Sequence, residues 1–327
     1  MRTRVAIAGG GPAGAAAGMA LARAGIEACV IEPGARAKAG ECLYPRAMAL
    51  IRQTGLVDPS TEGHRASPGM RVTWTGPAED RDFIAHPEGA GWNLDRERFE
   101  TGLRARAERE GVRWIEVRLT GATRTSGGFD LVLDGATLSA EAVIDASGRI
   151  ACFARRMGAK RVIEDRLIAV HSVYEGGVED PRLFVESAAE GWWYSCGLAD
   201  CTIASFQTRA AEHAPLDPPP LTGARIAGLK RIRTQRFAAG SARLDQIAGD
   251  GWLAIGDAAC AHDPLSGHGI MAALASGFDG GEAIAQWLAG EKDALARHAA
   301  LRTRAWAEYR EGIKAQYAAA RATAPAG

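Results

Sequence analysis

The stretch "RVAIAGGGPAGAAAGMALARAGIEACVIE", Arg4 to Glu32, leaves few folds open to this chain. Val5, Ala6, Ile7 and Ala8 form a short apolar strand, Gly9, Gly11 and Gly14 open an alanine-rich helix running to about Ala24, and Gly25 ends it before the strand "EACVIE". This is a βαβ unit. Its first glycine permits the turn, its second lets backbone approach a pyrophosphate, and its third allows close helix packing, while Pro12 and Ala13 keep the helix start small. Gly18 extends the small face by a turn. Glu32, at the end of the second strand, is placed to accept hydrogen bonds from a ribose. The combination predicts an adenine dinucleotide site. It does not choose FAD over NAD, and a glycine-rich turn in an unliganded α/β protein is the alternative.

The chain has 327 residues, 47% of them hydrophobic, and 39 basic side chains balance 39 acidic ones. That suits one large or two intimate domains with a substantial core. Zero net charge provides no long-range field toward nucleic acid or an anionic membrane, so neither is expected as a partner. No uninterrupted apolar run reaches about 18 residues, which argues against a membrane span. The apolar start resembles a secretory leader, but its glycine spacing is not what such a leader needs. Cys29, Cys42, Cys152, Cys196, Cys201 and Cys260 form no CxxC pair. Neither zinc nor a disulfide framework is expected, and a reducing, cytoplasmic setting is.

Further along, a helix is predicted from near Pro45 to near Gly55, strands at "MRVTWTG" and "RDFIAH", and an amphipathic helix in "LDRERFETGLRARAEREGV" with Leu94, Phe99 and Leu103 inward. Short strands end in the buried "AVIDASG"; a second block follows in "RLIAVHSVYEG", "RLFVES", "GWWYSCGL" and "CTIASFQT". "EHAPLDPPP" is too proline-rich for a strand or a helix interior. "GWLAIGDAA" is the last strand and leads into helices from about Ile270 to Ala320, with a disordered "ATAPAG" at the end. The expected layout is a discontinuous dinucleotide domain (1–75, 92–160, 250–327) and a β-rich substrate domain (76–91, 161–249), with the ligand between them.

Three words in this order, "GGGPAGAAAG" with Glu32, "DASG" at Asp145 to Gly148, and "GDAACAHDPLSGHGI" from Gly256 to Ile270, resemble the glutathione-reductase-like FAD superfamily. They are most similar to its monooxygenase, halogenase and geranylgeranyl-reductase branches. The resemblance covers almost the whole chain and implies an α/β fold, a Rossmann-like FAD-binding domain with an inserted β-sheet substrate domain. It implies FAD contacts from the first word, from Ala146 and Gly148, and from Asp257 of the Gly256–Asp257 pair toward the ribityl and phosphate groups. Pro264, Gly267, Gly269 and Ile270 would lie against the isoalloxazine, where a helix start favours an anionic reduced ring. Arg96 matches an arginine that contacts FAD in relatives, with Arg98 or a plain surface charge as the alternatives. Cys42 lies in a loop that borders the flavin in relatives, with a small buried residue as the other reading, and Tyr44 and Pro45 of that loop could gate the site.

The branch is less sharply marked. The chain has no lysine between Ala39 and Ala159, and "GWWYSCGL" is not the WxWxIP word of flavin-dependent halogenases, so halogenation is not expected. "AGECLYPRA", "EGWWYSCGL" and the "GDAA" word together resemble small aromatic monooxygenases, including flavoproteins of tryptophylquinone cofactor biogenesis. That resemblance implies hydroxylation through a flavin C4a-(hydro)peroxide, with molecular oxygen and either an aromatic small molecule or a partner protein's aromatic side chain as substrates. The reductant, NAD(P)H or a separate electron donor, is left open. Trp192 and Tyr194 share one strand face and Trp193 takes the other, so the first two are candidates to line an aromatic pocket, with sheet packing as the alternative. Of the two histidines flanking the flavin loop, His268 is the preferred acid/base candidate over His262. A reductase of geranylgeranyl-reductase type and a non-catalytic flavoprotein partner are the competing readings.

Overall fold

A computed structural model of the chain describes residues 1–34, 40–74, 76–209 and 217–322. The predicted βαβ unit forms as β1 (Arg2–Ala8), α1 (Pro12–Arg23) and β2 (Ala28–Ile31). Strand Ala136–Asp145 pairs parallel to β1 on the side away from β2, Trp252–Ala254 extends the sheet beyond it, and Arg113–Ile115 lies outside β2. The hairpin Leu119–Thr125/Gly128–Leu133 and the short strand Ala248–Gly249, which pairs with Trp252–Ala254, add antiparallel strands and bring the sheet to eight. Both faces are covered, which is why β1 is apolar at successive positions rather than alternate ones. Val5 and Ile7 pack with α1; Ala6 and Ala8 pack on the other face with Phe153 and Trp252.

Small residues bring α1 against helix Gly269–Leu288. A side chain at Gly277 would run into the Ala13 carbonyl, and a Cβ at Gly281 would lie 2.7 Å from the Ala17 carbonyl oxygen. These helices therefore touch backbone to backbone. Gly14 similarly faces the Gly9 carbonyl, and Gly18 fits beside Val112.

The second sheet has seven strands in the order Arg231–Ala238, Ile168–Glu175, Cys201–Thr208, Gly191–Gly197, Leu183–Ala188, Gly69–Thr73 and Glu79–Asp82. Only the pair Leu183–Ala188 with Gly69–Thr73 is parallel. Gly69–Thr73, placed in the first unit by the sequence reading, thus pairs in the second sheet. Only Glu79–Asp82 pairs near the expected strand "RDFIAH"; the chain then turns, His86 N–H donating to the Phe83 carbonyl at 2.8 Å.

Helix Arg46–Thr54 ends at Gly55 as predicted, and the φ of 60° there is the left-handed conformation that glycine favours. Helix Arg96–Arg109 is capped by the Asp95 carboxylate, which accepts from the Glu97 and Arg98 amides, and buries Phe99 and Leu103. Leu94 is buried too, but from strand Gly91–Leu94. The proline-rich break is followed by helix Pro220–Ile226, with a proline where a helix start tolerates one. The final helix spans Ala294–Ala322. Residues 210–216 of the break region and 323–327 of the expected disordered end lie outside the described residues.

Two glycines in the last helices should respond in opposite directions. Gly281→Leu overpacks the α1 contact and is expected to cost about 1–3 kcal/mol, whereas Gly312→Ala, exposed in helix with nothing near it, should gain about 0.5–1 kcal/mol. Urea unfolding of the two variants checks both signs.

Candidate active site

A cavity of about 1160 Å³ runs from the β1–α1 turn to the inner face of the seven-stranded sheet. At its first end Gly9 has φ 108° and lies so close to the Ala146 carbonyl that no side chain fits. Gly10 donates its N–H to Glu32 Oε2 at 2.6 Å and has the Trp114 ring packed where a Cβ would be. Gly11 starts α1 without any side-chain cap. The first-turn amides therefore face the cavity with the positive end of the helix dipole behind them, a site for a phosphate oxygen. These residues fit a dinucleotide: a glycine cradle, an uncapped helix start and an acid at the end of β2.

Along the middle, Arg96 lines the wall and pairs with Glu41 and, at 2.5 Å, with Glu100. Arg98 instead donates to the Gly63 carbonyl and does not line the cavity. Gly148 and Asp257 line the wall as well; Asp257 lies 3.6 Å from Arg149. Asp145 does a different job. Its buried carboxylate accepts from Ser147, Phe153 and Ala154 amides and holds the turn after its strand, and burial raises its pKa.

At the far end the loop after Asp263 brings Pro264, Gly267, Gly269 and Ile270 to the wall, which Cys42 also lines. Gly267 is left-handed at φ 60° and accommodates the Tyr44 ring where a side chain would project. Helix Gly269–Leu288 begins here without a side-chain cap, a second positive helix end at the same cavity. Asp263 accepts from Leu265 N–H at 2.9 Å and from Tyr317 Oη at 2.9 Å, and burial raises its pKa to about 6. Cys42 is a thiol whose pKa burial pushes up, so it is protonated at neutral pH.

The seven-stranded sheet supplies the aromatic chamber. Trp192 and Tyr194 do share the cavity face, and Trp193 lies behind, stacked 5.0 Å from Phe206. Cross-strand register aligns Tyr194, Ser205 and His171 in one row. Tyr194 Oη lies 3.3 Å from His171 Nδ1. Burial, then the Arg96 charge, lowers the His171 pKa to about 4; burial raises that of Tyr194, so both are neutral near pH 7. Trp192 Nε1 donates to Tyr317 Oη at 3.0 Å, and Trp74 packs edge-on against both rings.

Three sequence-based site candidates do not line the cavity. His268 occupies the position before helix Gly269–Leu288, where burial, then the charges of Arg46 and His262, lowers its pKa to about 4. His171 and His262 are the histidines in the wall. Gly14 and Gly256 also lie behind the wall: Gly14 packs on the Gly9 carbonyl, the close packing expected of the third glycine, and Gly256 approaches Ala13. Sequence reasoning missed His171, Asp263, Trp74 and Tyr317. The alternation Ala169, His171, Val173 was the available signal for His171; Tyr317 sits in an alanine-rich helix with no local cue.

A glycine cradle and two uncapped helix starts opening into an aromatic chamber define a dinucleotide-dependent redox enzyme. The chain belongs to the FAD-binding domain family, whose model matches residues 2–195, and it is accordingly an FAD-dependent oxidoreductase. It is 26% identical over 318 residues to the 1H-pyrrole-2-carbonyl-(peptidyl-carrier protein) brominase of Pseudoalteromonas luteoviolacea, covering 88% of this chain and 78% of the relative. It is 28% identical over 306 residues to the digeranylgeranylglycerophospholipid reductase of Methanoculleus marisnigri, covering 84% and 74%. The structure of the peptidyl tryptophan dihydroxylase QhpG, essential for tryptophylquinone cofactor biogenesis, superposes with a TM-score of 0.83 at 24% identity, over 99% of this chain and 77% of that one. That likeness is one of fold. No helix among the described residues is long and apolar enough to cross a membrane.

The histidines make the acid side of the stability curve informative. His171, His268 and His298 each fall from 6.5 to about 4 on folding, so the unfolded chain binds more protons between those values and stability drops as pH falls through them. Asp263, raised from 3.8 to about 6, has the opposite sign: its contribution is present below 3.8 and is lost as pH rises through 6. Asp145 and Asp279, also raised by burial, act with Asp263, while His64 and His262 are lowered by burial like the other three; five histidines outnumber three acids, and a net loss is expected. Urea midpoints between pH 7 and pH 4 should decline, and His171→Phe should make the decline shallower by about one proton.

Proposed function

We propose that this enzyme hydroxylates an electron-rich aromatic ring, and that the ring is a tryptophan side chain of a partner protein undergoing maturation to a quinone cofactor. The observation that carries the reading is the chamber of Trp74, Trp192, Tyr194 and His171, continuous with the dinucleotide groove. Among the described residues no lysine lines that cavity, which supports oxygen transfer over halogenation.

Bound FAD, once reduced, supplies the electron pair that activates O2. The balanced reaction is ring C–H plus O2, two electrons and two protons, giving ring C–OH and water. Trp192, fixed by Tyr317 and almost wholly buried, backs the chamber wall, and the half-buried rings of Trp74 and Tyr194 beside it supply the aromatic surface that orients a substrate ring. The His171–Tyr194 pair, neutral at pH 7, can hold a proton at the 3.3 Å contact between Oη and Nδ1. The final helix shields the chamber through Tyr317 and through Gln316, whose carbonyl accepts from Trp74 Nε1 at 3.3 Å. Exclusion of water there limits loss of reducing equivalents as free peroxide. The polar groups of this wall suit a lipid alkene less well, which disfavours the reductase alternative.

The test is to photoreduce the FAD-loaded enzyme without oxygen, add isotopically labelled O2 with a tryptophan peptide, and weigh the peptide. Incorporation of labelled oxygen is expected. Unmodified peptide with quantitative hydrogen peroxide, halogenated peptide when halide is present, or reduction of a lipid alkene instead would overturn the reading. The double variant His171→Phe/Tyr194→Phe should lower kcat for this reaction about 100-fold with FAD retention unchanged, while Trp192→Ala should act mainly on KM.

A further inference from the structure

Strand Arg231–Ala238 forms one edge of the seven-stranded sheet, and six of its eight positions are exposed. Its inner side pairs with Ile168–Glu175; among the described residues nothing pairs with its outer side. It carries Arg231, Arg233 and Arg236 and follows Lys230, with no acid from Leu229 to Ala238. None of these cations forms an ion pair among the described residues.

The same edge leads into the active-site cavity. Phe237 is opposite Ala169 and Gln235 opposite His171, so both lie on the chamber face of the sheet. Phe237 is 36% exposed, yet it lines the cavity and its ring lies 5.1 Å from that of His171. Ile150, 51% exposed, also lines the cavity, and its neighbour Arg149 ties that segment to the end of this strand by donating to the Ala239 and Gly240 carbonyls. The cavity therefore has a mouth with apolar lips along a basic, unpaired strand. Charges on an edge strand commonly serve to block aggregation. That role does not call for an exposed phenylalanine turned into the active-site mouth.

We propose that strand Arg231–Ala238 docks an extended acidic segment of the substrate protein as an added antiparallel strand, delivering that segment's aromatic side chain through the Phe237–Ile150 mouth. The inference rests on the protein-borne substrate reading above. Main-chain pairing would supply affinity and the arginines the choice of partner. An added strand would run about 10 Å from the His171 strand, two strand spacings away, with alternate side chains on the chamber face. The chain's own acidic edge, Glu79–Asp82, is a poorer match: it has four residues, and Asp80 is already held by Arg71 and Arg182.

The experiment is fluorescence anisotropy of the FAD-loaded protein with a short labelled peptide of alternating acids around one tryptophan. Two control peptides replace the acids by lysine or methylate alternate backbone amides. Each control, and the Arg231→Glu/Arg233→Glu/Arg236→Glu variant with the acidic peptide, is expected to bind at least about tenfold more weakly. Equal binding of acidic and basic peptides, equal binding of the methylated peptide, or undiminished binding by the variant would overturn the proposal. So would sedimentation showing that wild type dimerises through this edge and the variant does not. Free indole provides the separate check on chemistry. Oxygenation of indole without peptide binding sinks the docking surface alone; peptide binding with no oxygenation of indole or peptide leaves the surface standing and sinks the hydroxylase reading.

Discussion

The backbone contact between α1 and helix Gly269–Leu288 is the constraint on which the rest of the site depends. Gly277 meets the Ala13 carbonyl, Gly281 meets the Ala17 carbonyl, and Gly256 approaches Ala13. Any side chain at these positions would push the helices apart. Their starts, at Gly11 and His268, both lack side-chain caps, and residues beside both starts reach the one cavity. Two positive helix ends are thus held at opposite parts of a single groove. An elongated anionic cofactor matches that spacing of charge, whereas a mononucleotide would use only one end.

Around this frame the polar side chains are kept uncharged or paired. His171 and Tyr194 are neutral because burial disfavours their charged forms, and Arg96 is held against Glu41 and Glu100. Asp263 is poised near neutrality, with Tyr317 and the Leu265 amide donating to it. Its partner Tyr317 in turn accepts from Trp192. The final helix therefore connects the loop at the cavity's far end to the aromatic wall through hydrogen bonds.

Much of this was legible in the sequence, and the limits have physical causes. The βαβ unit is local: a glycine pattern, an alanine-rich helix and an acid within one stretch, all read by spacing. The shared face of Trp192 and Tyr194 followed from the two-residue period of a strand. His268 looked well placed because it stands between two glycines, but a position just before a helix does not fix where its side chain points. His171 and Tyr317 reach the chamber from strands and helices far apart in sequence, and only register and packing bring them together. Strand Arg231–Ala238 escaped notice because an exposed edge has little apolar alternation to read.

One groove, lined from the β1–α1 turn to the aromatic sheet, takes one extended flavin dinucleotide. Calorimetric titration of the FAD-free protein with FAD, ADP and NAD tests it most directly. The expected result is a single FAD per chain, displaced only weakly by ADP, with NAD far weaker. Failure to bind FAD, or NAD binding as tightly as FAD, would contradict the claim.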